Sequence, residues 1–451
     1  MAQTNSSYPR WLPLLGGLLG STTCGMLLYA FSVFVKPLMV EFNWTVPQVA
    51  LAYGLIILIF SIVAFPAGIL SGKVGPRAIV LTGSLIMATG IYLVSTIKPP
   101  APGEDATSQL YQLYLYYSLI GGIGGGMVYL PPISTAPKWW PDRRALAIGF
   151  TVVGLGLGSF LMGPIATTLI NHFGSVLPVF KYTGLAMAIM GVTGALCLKL
   201  PPEGYRPPGW TPPAPAKGIK NSESRDYTFK ETIRTPQFWL LYLAYFGGSF
   251  AGLMVIGLIA KHGIDSMSLS YMAGQGLNVM SDIPADVVKK ISMQAATASS
   301  TLAVFNAAVR IAIGPMIDKH GSKKIFITLF SLQAAAMLAL YPAGSSTLLL
   351  SAVAGLIGWN FGAMFTLFPA TLIEYYGSKA QSANYGLLFT SFGIAGFFGP
   401  SIGGKLQAST GSFFVPFVVS AGVLAVAVLI FVTVKAPAKQ YVDKAQTNEA
   451  I

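Results

Sequence analysis

The sequence predicts an all-α integral membrane protein, with twelve membrane-spanning helices arranged as two bundles of six. Three observations predict it. Of 451 residues, 53% are hydrophobic and only 10% charged, whereas a soluble domain is about 25% charged. Twelve stretches are long and apolar enough to cross a bilayer as helices, which takes about 20 residues each. The second six of these stretches repeat features of the first six. Alternating ten-residue strands, the mark of a membrane barrel, are not found in the sequence. The 50 glycines suit helices that approach one another closely in lipid.

The elements follow in order. The first six spans are expected at 12–35, 48–70, 77–97, 112–135, 145–170 and 176–199. The first carries no small-residue cleavage site, so it reads as a retained helix rather than a signal peptide. Residues 200–235 then break the pattern with "PPEGYRPPGWTPPAPAKGIKNSESRDYTFKETIR". This stretch is Pro-rich, charged and without a hydrophobic face, as a linker should be. The second six spans are expected at 236–260, 292–315, 324–344, 347–371, 383–404 and 412–435. The domain reading is therefore a bundle at 1–199, a cytoplasmic linker at 200–235, a bundle at 236–435 and a cytoplasmic tail at 436–451. Residues 262–291 are expected to form a polar outer loop, with "PADVVKK" as a short amphipathic helix.

Charge fixes the orientation. The net charge is +13, but its placement argues against a nucleic-acid partner. With the N-terminus inside, 20 of the 28 Lys and Arg fall on the cytoplasmic side and seven on the outer side. This is the positive-inside pattern. Both termini are therefore expected in the cytoplasm of a multi-pass plasma-membrane protein, such as one of the bacterial inner membrane. The two cysteines, Cys24 and Cys197, lie within separate spans and build neither a disulfide framework nor a metal site. No metal or cofactor is expected.

The halves repeat each other. "SGKVGPRAIVLTGSL" at 71–85 matches "IDKHGSKKIFITLFS" at 317–331, each between the second and third span of its half. "MVYLPP" at 127–132 matches "MFTLFP" at 364–369, an offset of 237 that also relates Gly149 to Gly386. "GP" at 163–164 returns at 399–400. Parallel six-span repeats are a transporter architecture. An enzyme is disfavoured, because the spans hold no paired carboxylates, no nucleophile with its base and no ligand cluster. "GGIGGGMVYL" lacks the Lys-Ser/Thr ending of a phosphate loop and reads as close helix packing.

The remaining charge, Arg310, sits in "TLAVFNAAVRIAIGP". A cation there costs at least a few kcal/mol, and arginine keeps its proton at any ordinary pH. It can snorkel toward the interface, pair with a buried carboxylate, or serve as counter-ion for an anionic substrate. All fifteen Asp and Glu fall in loops or at span ends, which disfavours pairing. A guanidinium suits a carboxylate because it donates two parallel hydrogen bonds. Asn306, one helical turn earlier, shares its face.

"GILSGKVGPR" and its copy "GPMIDKHGSKK" resemble the major facilitator superfamily motif that runs roughly G-x-L-x-D-R-x-G-R-K. The resemblance implies the twelve-helix major facilitator fold and a conformational-switch role for Gly68, Gly75, Arg77, Asp318, Gly321 and Lys323. Gly72 stands where the family has Asp. Four longer segments, "YAFSVFVKPL", "KWWPDRRALAIGFTVVGLGLG", "IRTPQFW" and "LFPATLIEYYGSKAQSANYG", are similar to the oxalate/formate antiporter family, which is related to the monocarboxylate transporters. The resemblance implies a secondary transporter with Arg310 as the substrate-binding cation, assisted by Asn306 and by the hydroxyl of Tyr129.

Two departures bear on substrate. Oxalate-handling members carry a second cation, a Lys, where this chain has Phe392, and a Gln where it has Leu28. Together with Leu155, Phe361 and Phe365, these residues are expected to form an apolar wall. One cation and an apolar wall favour a small monocarboxylate such as lactate or pyruvate. An oxalate/formate-type antiporter is the alternative, and a carboxylate sensor of transporter descent is the alternative of another class. A coupled proton is expected from the resemblance. The residues do not account for it, since animal monocarboxylate transporters have an Asp where this chain has Asn306. His172, His262 and His320 are expected at loops or span ends. A monomer is expected.

Overall fold

The computed structural model describes residues 8–29, 31–101, 104–202, 204–210, 222–438 and 440–443. Parts of the expected linker and tail, residues 211–221 and 444–451, lie outside the described residues. Span 1 is a bent pair, Leu12–Leu28 followed by a second helix ending at Phe42, with 42° between them. Spans 2 to 6 are Val46–Val74, Pro76–Val94, Thr107–Trp139, Arg144–Phe173 and Leu177–Leu196. Spans 7 to 12 are Pro236–Gln275, Ala285–His320, Ser322–Ala343, Thr347–Tyr376, Gln381–Thr410 and Phe414–Thr433. Pro13, Pro47, Pro76, Pro178 and Pro236 open their helices, where the missing N–H costs nothing.

Two expectations are corrected. The outer loop 262–291 shrinks to residues 276–284, because the helices of spans 7 and 8 continue past the apolar stretch at that end. "PADVVKK" is the start of span 8. Hydropathy reports the lipid, whereas a helix in water satisfies its own backbone and adds pairs such as Lys261–Asp265, 2.8 Å apart at i,i+4. His262 is consequently inside the span 7 helix rather than in a loop. It is buried, with Nε2 3.0 Å from the Leu340 carbonyl and with the rings of Phe413 and Phe417 around it.

The linker is tied to the second bundle. Residues 222–225 pair antiparallel with 440–443 of the tail, a short β ribbon beside the helical spans. Asp226 accepts from the backbone N–H of Ser378 (2.7 Å) and Lys379 (2.8 Å), just before span 11. The Tyr227 N–H donates to the Tyr376 carbonyl at 2.9 Å.

The repeat is visible in three dimensions. Gly75 and Gly321 close spans 2 and 8 with φ of +89° and +76°, a conformation reserved in practice for glycine. Two residues on, Arg77 donates to the carbonyls of Leu196 and Leu198 at the end of span 6. Lys323 donates likewise to Val432 and Val434 at the end of span 12. Each cation satisfies orphan carbonyls at a helix C-terminus, where the dipole favours positive charge. The bundles meet through matched glycines. A Cβ on Gly68 would lie 2.3 Å from the Ser382 carbonyl of span 11, and one on Gly314 would lie 2.7 Å from Leu146 Cα of span 5.

Candidate functional site

Arg310 is fully buried in span 8. Its Nη2 donates to Asn306 Oδ1 at 2.7 Å and its Nε to the Asn306 carbonyl at 3.2 Å. Asn306 thus holds the guanidinium rather than leaving it to snorkel. Nη1 crosses to the other bundle and donates to the Val152 carbonyl of span 5 at 2.8 Å. These acceptors are all neutral. The crossing is short because small groups face each other here. A Cβ on Gly156 would lie 2.4 Å from that of Ala307, and one on Gly149 only 1.9 Å from the Arg310 carbonyl. That carbonyl also accepts from Thr366 Oγ1 at 3.2 Å.

An aromatic wall lies against the cation. The guanidinium carbon is 4.6 Å from the Phe365 ring centre and 6.0 Å from that of Tyr29, within cation–π range. Phe365 packs edge-on against Phe361 (5.7 Å) and Phe392 (5.4 Å). Tyr129 is fully buried, 5.0 Å from Phe389 and 5.6 Å from Phe60, and its hydroxyl has no hydrogen-bond partner among the described residues. Tyr245 lies 6.4 Å from Phe392, ring centre to ring centre, and its hydroxyl is 3.3 Å from that of Tyr385.

The structure therefore brings Arg310, Asn306, Phe361, Phe365 and Phe392 into one cluster, with Tyr129 at its edge. Leu28 and Leu155 are buried, but the distances that tie their helices to the cation run through Tyr29 and the Val152 carbonyl. The Leu155 backbone instead packs on Gly25 of span 1. Sequence reasoning passed over Val152, Tyr29, Phe60, Tyr245, Tyr385 and Phe389. The signals available were the Gly-rich "TVVGLGLG" at 151–158, which contains Val152, and the Tyr of "ANYG".

The six motif residues lie apart from this cluster, at the membrane face that carries the linker. Asp318 accepts from the N–H groups of Ala145 (3.1 Å) and Leu146 (3.3 Å) at the start of span 5. A carboxylate from one bundle thereby caps a helix of the other. Gly72, the repeat counterpart of Asp318, has open space where a side chain would stand.

The sequence profile of the Major Facilitator Superfamily matches residues 17–288 and 279–450. The chain belongs to the major facilitator superfamily. It is a multi-pass membrane transporter by family, not an enzyme. Among relatives, the uncharacterized MFS-type transporter YhjX of Escherichia coli is 27% identical over 87% of each chain. The oxalate:formate antiporter of Oxalobacter formigenes is 26% identical over 98% of this chain and 96% of its own. Monocarboxylate transporter 13 of Bos taurus is 23% identical over 92% and 86% respectively. Among solved structures, the fucose:proton symporter FucP of Escherichia coli superposes with a TM-score of 0.64 at 15% identity, over 94% of this chain and 98% of that one. That likeness supports the major facilitator fold.

Proposed function

We propose that this transporter moves a small monocarboxylate, such as lactate or pyruvate, by alternating access, with Arg310 as the carboxylate's counter-ion and a proton as the coupled ion. The observation that carries the reading is the composition of the Arg310 cluster. One buried cation, held by neutral acceptors, faces a wall of Phe361, Phe365 and Phe392. A carboxylate replaces neutral acceptors with a charge-assisted pair, and the phenyl wall takes a short apolar tail. Tyr129 offers a buried hydroxyl to the same carboxylate. Asn306 orients the guanidinium, and Leu28 and Leu155 complete the apolar surroundings. The kinship to an oxalate:formate antiporter and to a monocarboxylate transporter supports a carboxylate substrate.

The second reading, an oxalate/formate-type exchanger, is favoured by the near full-length match to the Oxalobacter protein. Against it stands Phe392, where two carboxylates would ask for a second cation. Among the described residues, no Asp, Glu or His is hydrogen-bonded to Arg310 to carry the proton. The substrate carboxylate itself and the surrounding tyrosines are the groups left. We infer a plasma-membrane monomer with the linker face in the cytoplasm, which the positive-inside charge pattern supports.

Uptake of radiolabelled L-lactate into proteoliposomes, with and without an inward proton gradient, tests the reading beside oxalate and beside Arg310→Ala. Gradient-stimulated lactate uptake that the Ala variant loses is expected. Oxalate uptake that requires internal formate would replace it with the exchanger. Binding of lactate without any flux would point to a sensor.

The motif residues act at the linker-face gate. There Asp226 takes up the work of the carboxylate missing at Gly72. Asp226→Asn is expected to raise alkylation of a Ser382→Cys reporter from the linker side at least threefold, in a Cys197→Ser background. Gly72→Asp should restore protection, since the space for it exists. If the reporter is equally protected with and without Asp226, the linker is a passive tether.

A further inference from the structure

We infer that the Val152 carbonyl, released by a break in span 5, is the resting partner of the Arg310 cation, and that it lets the carrier reorient unloaded, so that carboxylate moves by net transport rather than by obligatory exchange. The inference rests on Arg310 being the substrate cation. Span 5 is two helical pieces, Arg144–Val152 and Gly154–Phe173. In an unbroken helix the Gly156 N–H would bond the Val152 carbonyl. Here it turns to Val153 instead (2.9 Å), and the Leu157 N–H joins it there (3.1 Å). The local sequence, two β-branched valines and then Gly154 and Gly156, is poor helix former, which is why the ladder gives way at this turn.

A freed carbonyl inside a membrane protein needs a donor, and a buried guanidinium needs acceptors. Each answers the other at 2.8 Å, from opposite bundles. The repeat does not duplicate the arrangement. At the offset of 237, Val152 corresponds to Phe389, which lies in the unbroken helix Gln381–Thr410. The motif-to-motif offset of 246 sets Ala64 against Arg310. The device was therefore added to one side of the pseudo-symmetric pair only.

Its consequence is energetic. A buried cation stripped of partners costs several kcal/mol, and a carrier that must pay this cost when empty turns over only with substrate bound. With Val152 and Asn306 as acceptors, the cation is hydrogen-bonded by protein groups without any substrate. A carbonyl dipole is nevertheless a weaker partner for a guanidinium than a carboxylate, which brings an opposite charge and a second parallel bond. Substrate therefore displaces Val152 and does not have to compete with a full salt bridge.

Proteoliposomes loaded with radiolabelled L-lactate, at equal pH on both sides, are diluted into lactate-free buffer or into saturating unlabelled lactate. Efflux into lactate-free buffer within about tenfold of the exchange rate is expected. Exchange without net efflux would overturn the resting-partner inference and leave Arg310 as the substrate cation. No flux in either arm, with pyruvate and oxalate equally inert, would overturn both. A second variant addresses the carbonyl directly. Replacing Val153 by its α-hydroxy acid turns the Val152 carbonyl into a weaker ester acceptor and also removes the Val153 N–H that donates to Gly149, a loss that Val153→Pro, which keeps the amide carbonyl, reproduces by itself. The ratio of net efflux to exchange should fall at least fivefold, and an unchanged ratio would remove Val152 from the mechanism. An ester at Gly154, which weakens the neighbouring Val153 carbonyl, should leave the ratio alone.

Discussion

Arg310→Lys is expected to cut monocarboxylate transport at least a hundredfold, although it keeps the charge. The guanidinium works in three directions at once. Nε and Nη2 reach two acceptors of Asn306, and Nη1 reaches Val152 on the other bundle. An ammonium on a shorter reach cannot span Asn306 and Val152 together, and it lacks the planar fork that grips a carboxylate through two bonds. Hydrogen bonds to charged groups are worth about 1.5–3 kcal/mol each, so losing two amounts to about 3–6 kcal/mol. Every 1.4 kcal/mol is about tenfold, which places the effect beyond two orders of magnitude. Burial adds to it, because a desolvated lysine gives up its proton far more readily than arginine. The check is the initial uptake rate at equal protein, with a thermal melt to show that the variant is folded. A folded Lys variant within threefold of wild type would mean that a bare charge suffices.

Much of the fold was legible because lipid imposes one rule on every span. About 20 consecutive apolar residues are needed whatever the partner, so the span count and the two halves follow from hydropathy and repeats. The ends were not legible. Spans 7 and 8 run on into water, where polar residues such as Lys261 and Asp265 continue a helix that hydropathy no longer marks. Arg310 stood out because a charge in an apolar run is costly, and Asn306 followed from the family resemblance, with helical spacing setting it on the same face. Val152 could not be found this way. Its contribution is a main-chain carbonyl made available by a local break, and its side chain carries no trace of that. Phe389 and Tyr245 were lost for another reason. With 27 Phe and 20 Tyr in the chain, a ring on a helix face does not say which neighbour it meets. Asp226 lay in a charged, Pro-rich linker that reads as solvated, and only the fold shows it seated before span 11.

Phe392→Lys is expected to turn the site toward dicarboxylates, raising oxalate uptake at least tenfold over wild type and lowering lactate uptake by a similar factor. Phe392 is buried, with its ring 5.4 Å from Phe365, whose own ring lies 4.6 Å from the guanidinium. A lysine there places a second cation across the Phe365 ring from the first. At roughly 10 Å and an effective dielectric of about 20, the two charges repel by about 1.7 kcal/mol, and the new ammonium also loses hydration. The empty variant should therefore melt earlier than wild type. Oxalate relieves both costs, because each carboxylate meets one cation. Lactate relieves only one, and its methyl group loses the phenyl surface. The thermal shift separates the causes: oxalate should stabilise the variant more than lactate does, and the order should reverse in wild type. Phe392→Met removes the ring without adding charge. If it lowers lactate uptake as much as the lysine does and neither variant gains oxalate, the ring at 392 matters for packing alone, and the number of cations does not select the substrate.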